Sequence, residues 1–327
     1  MESSQIIKLP FSVNKKSKEI ELDDDVINNF ITINNTDYFI GPINSNFKHS
    51  KGAHSFVFKL FDAQSYEDEN EHIPINTIKI SNVYDEIIKG DIRIHPKNRS
   101  FFSEIKALKH CSKNKTNHVV DISYDGYLTF EQNQREYAYP FYIMEYADTD
   151  LKEYMEANRK EMSYEENVIL CAQLAKGLYE LNSLGYYHRD LKPDNIFMFA
   201  DDWKIGDLGM VATRDKDNYD GKKTIIGPKG WLSPEPMNKY LTHNSNPKID
   251  CSIDHQSDIF QLGKIFWYIM QGNVPIGVIH NADYINIKGQ RAMYIIIMNM
   301  LAYNKVKRAN DMKKDVIDKL ENIISRF

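Results

Sequence analysis

Between residues 37 and about 146, short hydrophobic runs alternate with polar turns. Residues 56–60 and 77–80 are rich in β-branched and aromatic side chains and are bounded by polar residues, a pattern that predicts strands. Residues 124–130 and 137–144 flank a short polar stretch, which predicts a β-hairpin. We therefore expect this part of the chain to form a sheet.

One helix interrupts these predicted strands. Phe101, Ile105 and Leu108 recur at the spacing of an amphipathic helix that ends near Cys111. Residues 1–36 precede the sheet region, and they are polar and include three consecutive aspartates. Because polar, charged termini are commonly poorly ordered, we predict that residues 1–36 form a loosely attached extension.

The pattern becomes helical after residue 146. Residues 163–166 have the form of a capping box, and the apolar stripe that follows them ends at Gly185. Residues 196–205 contain two apolar runs around a polar turn, which predicts a second hairpin. A further helix over about 254–270 is apolar almost all round, so it should be buried at the centre of its lobe.

These patterns predict an α+β fold with two lobes. The first would be small, β-rich and built around one main helix, over about 37–145. The second would be larger and mostly helical, over about 146–327, with a hinge between the lobes near residues 145–147.

Composition and charge narrow the class of protein. A chain of 327 residues with 42% hydrophobic and 27% charged side chains is an ordinary globular protein. The formal net charge of -5 argues against a nucleic-acid partner. The longest apolar run, residues 292–301, is shorter than the roughly 20 residues of a membrane-spanning helix, so we expect no membrane span. Three scattered cysteines and no secretory signal pattern favour a reducing cytosol, either the cell's own or that of a host cell.

Two acidic loops lie 17 residues apart, on either side of the second predicted hairpin. The first supplies Asp190 and, five residues later, Asn195, and the second supplies Asp207. Phosphoryl transfer requires a group that orients the attacking hydroxyl and oxygen ligands that hold metal ions against the phosphates. Mg²⁺ prefers oxygen ligands, so this spacing predicts a site that brings Mg-ATP beside a hydroxyl. A lone Asp or Asn in a loop is usually a turn residue, but here three occur together around a hairpin.

The two loops read His188-Arg189-Asp190-Leu191-Lys192-Pro193-Asp194-Asn195 and Asp207-Leu208-Gly209. They resemble the eukaryotic-type protein kinases, whose catalytic loop reads H-R-D-L-x-x-x-N and whose metal loop reads D-F-G. The resemblance covers about 37–327, interpreted as a protein kinase domain, and implies the two-lobed protein kinase fold. It implies that Asp190 is the catalytic base, that Asn195 and Asp207 bind metal, and that the cofactors are ATP and Mg²⁺ or Mn²⁺. Lys192 is the lysine typical of serine/threonine kinases.

The same resemblance implies a nucleotide site upstream. Lys79 stands where the family has the lysine of V-A-I-K, and it would hold the α- and β-phosphates of ATP. Glu104, 25 residues on in the predicted helix, is its expected partner. The glycine-rich loop of the family matches only Gly52 and Val57, because serines replace two of its glycines. The remaining contacts implied by position are Glu145 and Ala147 at the adenine, Asp150 at the ribose and Phe197 beneath the base.

Residues 227–235 resemble the end of the kinase activation segment, which is a platform for a protein substrate. The resemblance implies that Glu235 pairs with Arg308 and that Asp258 hydrogen-bonds the backbone of the catalytic loop. Pro228 stands where serine/threonine kinases usually carry threonine and looks more like tyrosine kinases. The candidate autophosphorylation sites ahead of this platform are Thr213, Tyr219 and Thr224.

Several functions stay open at this point. The first is a Mg-ATP-dependent protein kinase that phosphorylates serine or threonine on a protein substrate, with tyrosine or dual specificity as the variant that Pro228 favours. The second is a pseudokinase that binds nucleotide or a partner and signals by conformation, which the altered glycine-rich loop favours. A small-molecule kinase is disfavoured, because it would not need the substrate platform at residues 227–235.

Overall fold

The computed structural model describes residues 5–14, 20–43, 55–68, 72–214, 225–242 and 249–327. The chain divides into two compact units. The first, rich in strands, comprises Met1–Lys109 and Asp121–Tyr146. The second, rich in helices, comprises His110–Val120 and Ala147–Phe327. The limits of a kinase domain at residues 37 and 327 stay predictions.

The first unit is built on one large sheet, which has nine strands among the described residues. The strands of this unit are β1 (Gln5–Lys8), β2 (Ser12–Val13), β3 (Ile20–Glu21), β4 (Phe30–Ile33), β5 (Thr36–Pro42), β6 (Ser55–Asp62), β7 (Asn76–Ser81), β8 (Asp85–Ile88), β9 (Asp91–Arg93), β10 (Ile122–Gln132) and β11 (Arg135–Glu145). Its helices are α1 (Ala63–Asp68) and α2 (Arg99–Lys113), the latter ending within the second unit, with short 3-10 turns at Val26–Asn28 and Pro96–Asn98.

Strand order in the large sheet is β1-β10-β11-β7-β6-β5-β4, with β8 beside β11 and β9 beside β8. The pair β1 and β10 is parallel, and the other pairs are antiparallel. The predicted strands at 56–60 and 77–80 are confirmed as β6 and β7, and the predicted helix is confirmed as α2. The predicted hairpin is confirmed as β10 and β11. Its two-residue turn places Asn133 and Gln134 at positive φ, 52° and 61°, the backbone that tight hairpins require.

The described part of residues 1–36 is firmly attached to this sheet, so the prediction of a loose extension is wrong there. β1 pairs with β10 and β4 pairs with β5, which places one strand of the segment at each edge of the sheet. Leu9 and Ile20 are 6% and 0% exposed and belong to the apolar core of the unit. The polar average of this segment conceals a few apolar side chains, and burial of those few is sufficient to dock the backbone.

The two faces of the large sheet differ in chemistry. Phe56, Phe58 and Leu60 alternate along β6 and lie in the core that Leu9 and Ile20 complete. On the other face, Lys79 of β7 is directly opposite Tyr142 of β11 in register, and both contact Glu104 of α2. The alternation therefore separates an apolar face from a face that carries ionisable groups.

The second unit is mainly helical. Its helices are α3 (Leu151–Asn158), α4 (Tyr164–Ser183), α5 (Pro234–Thr242), α6 (His255–Gln271), α7 (Arg291–Met300) and α8 (Asp318–Ile324), with short turns at Pro193–Asn195 and Asn281–Asp283 and a π-helical turn at Lys313–Ile317. Its strands are β12 (Thr149–Asp150), β13 (Tyr186–Tyr187), β14 (Ile196–Phe199), β15 (Asp202–Ile205) and β16 (Ala212–Thr213). The second predicted hairpin is confirmed as β14 and β15.

The predicted helix signals of this unit are confirmed. At the start of α4, the backbone N–H of Glu166 donates to Oγ of Ser163 over 3.1 Å, and the N–H of Ser163 donates to Oε2 of Glu166 over 2.6 Å. Helix α6 is capped by Asp254 and carries buried side chains all round, as expected of a helix at the centre of its core. Over the residues that the structure describes, no helix is both long enough and apolar enough to cross a lipid bilayer.

Candidate active site

Lys79 and Glu104 form the predicted ion pair. Lys79 lies within β7 and Glu104 in the second turn of α2, and Nζ is 2.8 Å from Oε1. The two side chains are 10% and 1% exposed, so water screens the pair little. The contact is confirmed, whereas the contact of Lys79 with ATP phosphates stays a prediction.

The other predicted nucleotide residues of the first unit are only partly described. Val57 is opposite Lys79 in the register of β6 and β7 and is half-buried. Glu145 is the last residue of β11 and is exposed. Gly52 lies outside the described residues. Within this unit, Val57 therefore lies beside Lys79 in the sheet, whereas its contact with a nucleotide stays a prediction.

In the loop that carries Asp190, the side chains of nearby loop residues contact Asp190 itself. The amide Nδ2 of Asn195 donates to the backbone oxygen of Asp190 over 2.8 Å and to its Oδ2 over 2.9 Å. Lys192 places Nζ 3.6 Å from the same Oδ2. Pro193 begins the short 3-10 turn that ends at Asn195, where its fixed φ and missing N–H are tolerated. The three predicted catalytic residues of this loop are thus brought together around one carboxylate.

Asp258 on α6 hydrogen-bonds the backbone of the loop that carries Asp190, as predicted. Its two carboxylate oxygens accept the backbone N–H groups of His188 and Arg189, each over 2.8 Å. Burial raises the pKa of the Asp258 carboxyl, and the charges and N–H groups of those two residues oppose the rise. The sequence did not reveal Gln261, one turn further along α6, whose Oε1 accepts the N–H of Leu191 over 3.0 Å. Its spacing of three residues from Asp258 on one helix face was the available signal.

The loop that carries Asp207 lies against the catalytic loop. The N–H of Gly206 donates to the backbone oxygen of Asn195 over 2.9 Å, and Nε2 of His188 is 3.0 Å from the backbone oxygen of Gly206. A Cβ atom at Gly206 would lie 2.7 Å from Cγ2 of Val120, so only glycine fits this approach. Asp207 itself is exposed and has φ of 52°, an uncommon backbone for a residue with a side chain.

The remaining predicted residues of the second unit are dispersed around these loops. Asp150 faces Phe197 in the pairing of β12 with β14, and its Oδ1 caps α3 by accepting the N–H of Glu153 over 2.8 Å. Ala147 and Phe197 are half-buried. Thr213 pairs with Tyr186 in the two-stranded sheet of β13 and β16. The other predicted phosphorylation sites, Tyr219 and Thr224, lie outside the described residues.

The predicted pair at the substrate platform is also present. Nη2 of Arg308 lies 2.8 Å from Oε1 of Glu235, and both side chains are buried. Ser257 donates its hydroxyl to Oε2 of Glu235 over 3.0 Å, a contact that the sequence did not reveal. Glu235 therefore has partners on both of its oxygens.

The donors near Asp190 suit a magnesium ion bound together with phosphates. Within the described ranges, no three His, Cys, Asp or Glu side chains are grouped so that they could hold a metal by themselves. The oxygen donors that these two loops contribute are the carboxylate of Asp207 and the amide oxygen of Asn195. Mg²⁺ is commonly bound by one or two carboxylates together with phosphate oxygens and waters, so this donor set fits it.

Comparison with known proteins identifies the class. The protein kinase domain family matches residues 86–326, so the chain belongs to that family. The resemblance inferred from the two acidic loops is therefore confirmed. Lys79 and Val57 precede the matched range.

Individual relatives agree with this class at low identity. Serine/threonine-protein kinase CLA4 of Candida albicans is 26% identical over 255 residues, which cover 77% of this chain and 22% of that protein. The Raf homolog serine/threonine-protein kinase of Caenorhabditis elegans is 27% identical over 157 residues, covering 46% and 18%. Eukaryotic translation initiation factor 2-alpha kinase 3 of Rattus norvegicus is 33% identical over 135 residues, covering 37% and 11%. The chain spans about a fifth or less of the length of these relatives.

Proposed function

We propose that the chain is a Mg-ATP-dependent protein kinase that transfers the γ-phosphoryl group of ATP to a serine or threonine hydroxyl of a protein substrate. The observation that supports this most strongly is the setting of Asp190. Its carboxylate is oriented by Asn195 at 2.9 Å, lies 3.6 Å from Lys192, and belongs to a loop whose backbone is held by Asp258. Such a carboxylate is suited to positioning a hydroxyl for attack on phosphorus.

Asp190 would accept the proton of the substrate hydroxyl or orient that hydroxyl for in-line attack. Its side chain is 19% exposed, so a substrate can reach it while the surrounding loop limits its motion. Lys192, on the same side of the loop, would compensate negative charge near the transferred group. Both residues act on the acceptor side of the reaction.

Asn195 and Asp207 would hold the metal ion through oxygen atoms. Because the amide nitrogen of Asn195 already makes both hydrogen bonds to Asp190, its amide oxygen is the atom left for a metal. A bound Mg²⁺ neutralises charge on the phosphates during transfer. Use of Mn²⁺ in its place stays a prediction.

In the first unit, Lys79 would bind the α- and β-phosphates, and Glu104 would keep its ammonium in place. Gly52 and Val57 would cover the phosphates, and Glu145 would contact the adenine. The second unit would add Ala147 at the adenine, Asp150 at the ribose and Phe197 beneath the base.

Serine/threonine specificity is proposed because of Lys192, and the names of the relatives CLA4 and the Raf homolog describe serine/threonine-protein kinases. Pro228 favours the alternative of tyrosine or dual specificity. Autophosphorylation at Thr213, Tyr219 or Thr224 and a cytosolic location stay predictions.

The test is transfer of labelled phosphate from Mg-ATP to a generic protein acceptor. Asp190→Asn keeps the shape of the side chain and should lower the rate by about a hundredfold or more, since it removes the proton acceptor. Asp194→Asn, in the same loop but exposed, is the matched control and should leave the rate unchanged. Equal rates for Asp190→Asn and the unmodified protein would contradict the proposal.

The same assay separates the other candidates. If the unmodified protein transfers no phosphate while Mg-ATP raises its unfolding temperature, the chain is a nucleotide-binding pseudokinase. Analysis of the labelled amino acids distinguishes phosphoserine and phosphothreonine from phosphotyrosine and therefore tests the acceptor class directly.

A further inference from the structure

Glu104 receives hydrogen bonds from two side chains on one carboxylate oxygen. Its Oε1 is 2.8 Å from Nζ of Lys79 and 3.0 Å from the hydroxyl of Tyr142. Glu104 and Tyr142 are each 1% exposed. A buried carboxylate is costly unless donors compensate for the water that it has lost. The Tyr142 hydroxyl is therefore a second, uncharged source of stabilisation for the same oxygen.

The strand register explains why the two donors meet at Glu104. Tyr142 of β11 is directly opposite Lys79 of β7, and side chains that face each other on antiparallel strands stand side by side. Nζ of Lys79 lies 5.7 Å from the centroid of the Tyr142 ring, within range of a cation–π contact. The ring of Tyr142 thus lies beside the Lys79 ammonium, and its hydroxyl contacts Glu104, the partner of Lys79.

Tyr142 also contacts a second residue of α2. Its ring centroid is 5.5 Å from that of Phe101, which precedes Glu104 by three residues and shares its face of the helix. Tyr142 therefore touches the helix at two points, an apolar one at Phe101 and a polar one at Glu104. A rotation of α2 about its axis, or a change of the Glu104 rotamer, would break the polar contact.

We propose that Tyr142 is a positioning residue, whose hydroxyl holds Glu104 in the orientation in which it pairs with Lys79. The proposal rests on the proposed function in so far as Lys79 is to serve ATP phosphates. When an anionic ligand also contacts the Lys79 ammonium, the Tyr142 hydroxyl still donates to the Glu104 carboxylate. Glu104 is thereby kept oriented toward Lys79 while the ligand is bound.

The test compares Tyr142→Phe with Tyr139→Phe. Tyr139 lies on the same strand, is 0% exposed and belongs to the apolar core on the other face, with its ring 5.0 Å from Phe130. Each variant loses one buried hydroxyl and keeps its ring, so the control matches the loss of stability without touching Glu104. The unfolding temperature and the far-UV circular dichroism of both variants establish that they are folded.

The first measurement is the rate at which dilute acetic anhydride acetylates Lys79 in the nucleotide-free protein, followed by mass spectrometry. An ammonium held by a carboxylate stays protonated and reacts slowly. Tyr142→Phe should raise this rate roughly threefold to tenfold, the equivalent of one hydrogen bond, whereas Tyr139→Phe should not change it. Equal rates in Tyr142→Phe and the unmodified protein would overturn the proposal.

The second measurement is kcat/KM for ATP in a double-mutant cycle with Glu104→Gln. Tyr142→Phe should lower kcat/KM roughly threefold to tenfold in the unmodified background and cause no further loss when Glu104 is already changed. The same loss in both backgrounds, or the same loss in Tyr139→Phe, would contradict a role through Glu104. If the unmodified protein transfers no phosphate, the proposed function fails, and the acetylation rates still decide the role of Tyr142.

Discussion

Arg308 and Glu235 form a buried ion pair in which Nη2 and Oε1 are 2.8 Å apart and the side chains are 0% and 2% exposed. The second oxygen of Glu235 accepts the hydroxyl of Ser257 over 3.0 Å. The guanidinium also donates to the backbone oxygens of Ala302, Tyr303 and Gln256. The pair thereby ties α5 to the start of α6 and to the loop after α7.

Loss of one partner from this pair should destabilise the protein strongly. Arg308→Met would leave Glu235 buried without its opposite charge, and we expect the free energy of unfolding to fall by about 3–5 kcal/mol. Urea unfolding measures this change. Lys307→Met, at the exposed neighbouring position, is the control and should change it by less than about 0.5 kcal/mol. Similar losses in the two variants would show that the pair contributes nothing specific.

The N-terminal segment should contribute to the stability of the first unit. Ile20 is 0% exposed and packs in the core of the sheet, whereas Ile27, in the same segment, is 50% exposed. Ile20→Ala should lower the free energy of unfolding by about 2–5 kcal/mol, because it leaves a cavity. Ile27→Ala is the matched control and should lower it by less than about 0.5 kcal/mol. A loosely attached segment would instead make both substitutions neutral.

Asp85, at the start of β8, has a buried carboxyl group whose two oxygens differ in their hydrogen bonding. Its Oδ1 accepts the N–H of His95 and the amide of Asn98, each over 2.7 Å. Its Oδ2 is buried and has no hydrogen-bond partner among the described residues. Burial raises the pKa of Asp85, and the two hydrogen bonds and His95 oppose the rise. Asn98 also accepts the hydroxyl of Ser81 over 2.6 Å, which links β7 to the turn before α2.

The raised pKa of Asp85 predicts the sign of a pH effect on stability. Above about pH 4 the unfolded chain has lost the proton of this carboxyl, whereas the folded chain still binds it up to its raised pKa. The contribution of Asp85 to the free energy of unfolding is therefore complete below about pH 4. It decreases as the pH rises from there through the raised pKa of the folded chain.

Asp85→Asn removes this titration and keeps the shape of the side chain. Urea unfolding of both proteins between about pH 4 and pH 8 measures the effect. The free energy of unfolding of the variant should rise relative to that of the unmodified protein as the pH rises. A difference that stays constant over this range, or that changes in the opposite direction, would contradict the prediction.

Asp207 should determine the metal requirement of the proposed reaction. Asp207→Asn removes a charged oxygen ligand, so the Mg²⁺ concentration that gives half the maximal rate should rise at least about tenfold. Loss of a residue that only hydrogen-bonds a metal ligand already has an effect of that size. Initial rates at graded Mg²⁺ concentrations measure this shift. Asp201→Asn, exposed in the turn between β14 and β15, is the control and should leave the requirement unchanged. An unchanged requirement in Asp207→Asn would exclude this residue as a metal ligand.

The sequence by itself determined the local elements and the order of the site loops. Short runs of β-branched and aromatic residues predicted β6 and β7, helical spacing predicted α2, and the Ser163 and Glu166 pair predicted the start of α4. All of these elements are present. The spacing of Asp190, Asn195 and Asp207 around a hairpin was likewise visible before any contact was known. These features depend on residues within one helix, one strand or one hairpin of each other, where backbone periodicity and capping act.

Only the tertiary structure decided which distant residues meet. It placed β1 and β4 at the two edges of the sheet, brought the Tyr142 hydroxyl to Glu104, and joined Gln261 to the catalytic-loop backbone. Ile20 lies in a segment whose polar average predicted a loose extension, yet it is buried in the core. Such contacts depend on strand register and on close packing between segments far apart in the chain, and the one-dimensional pattern of hydrophobic and polar residues encodes neither.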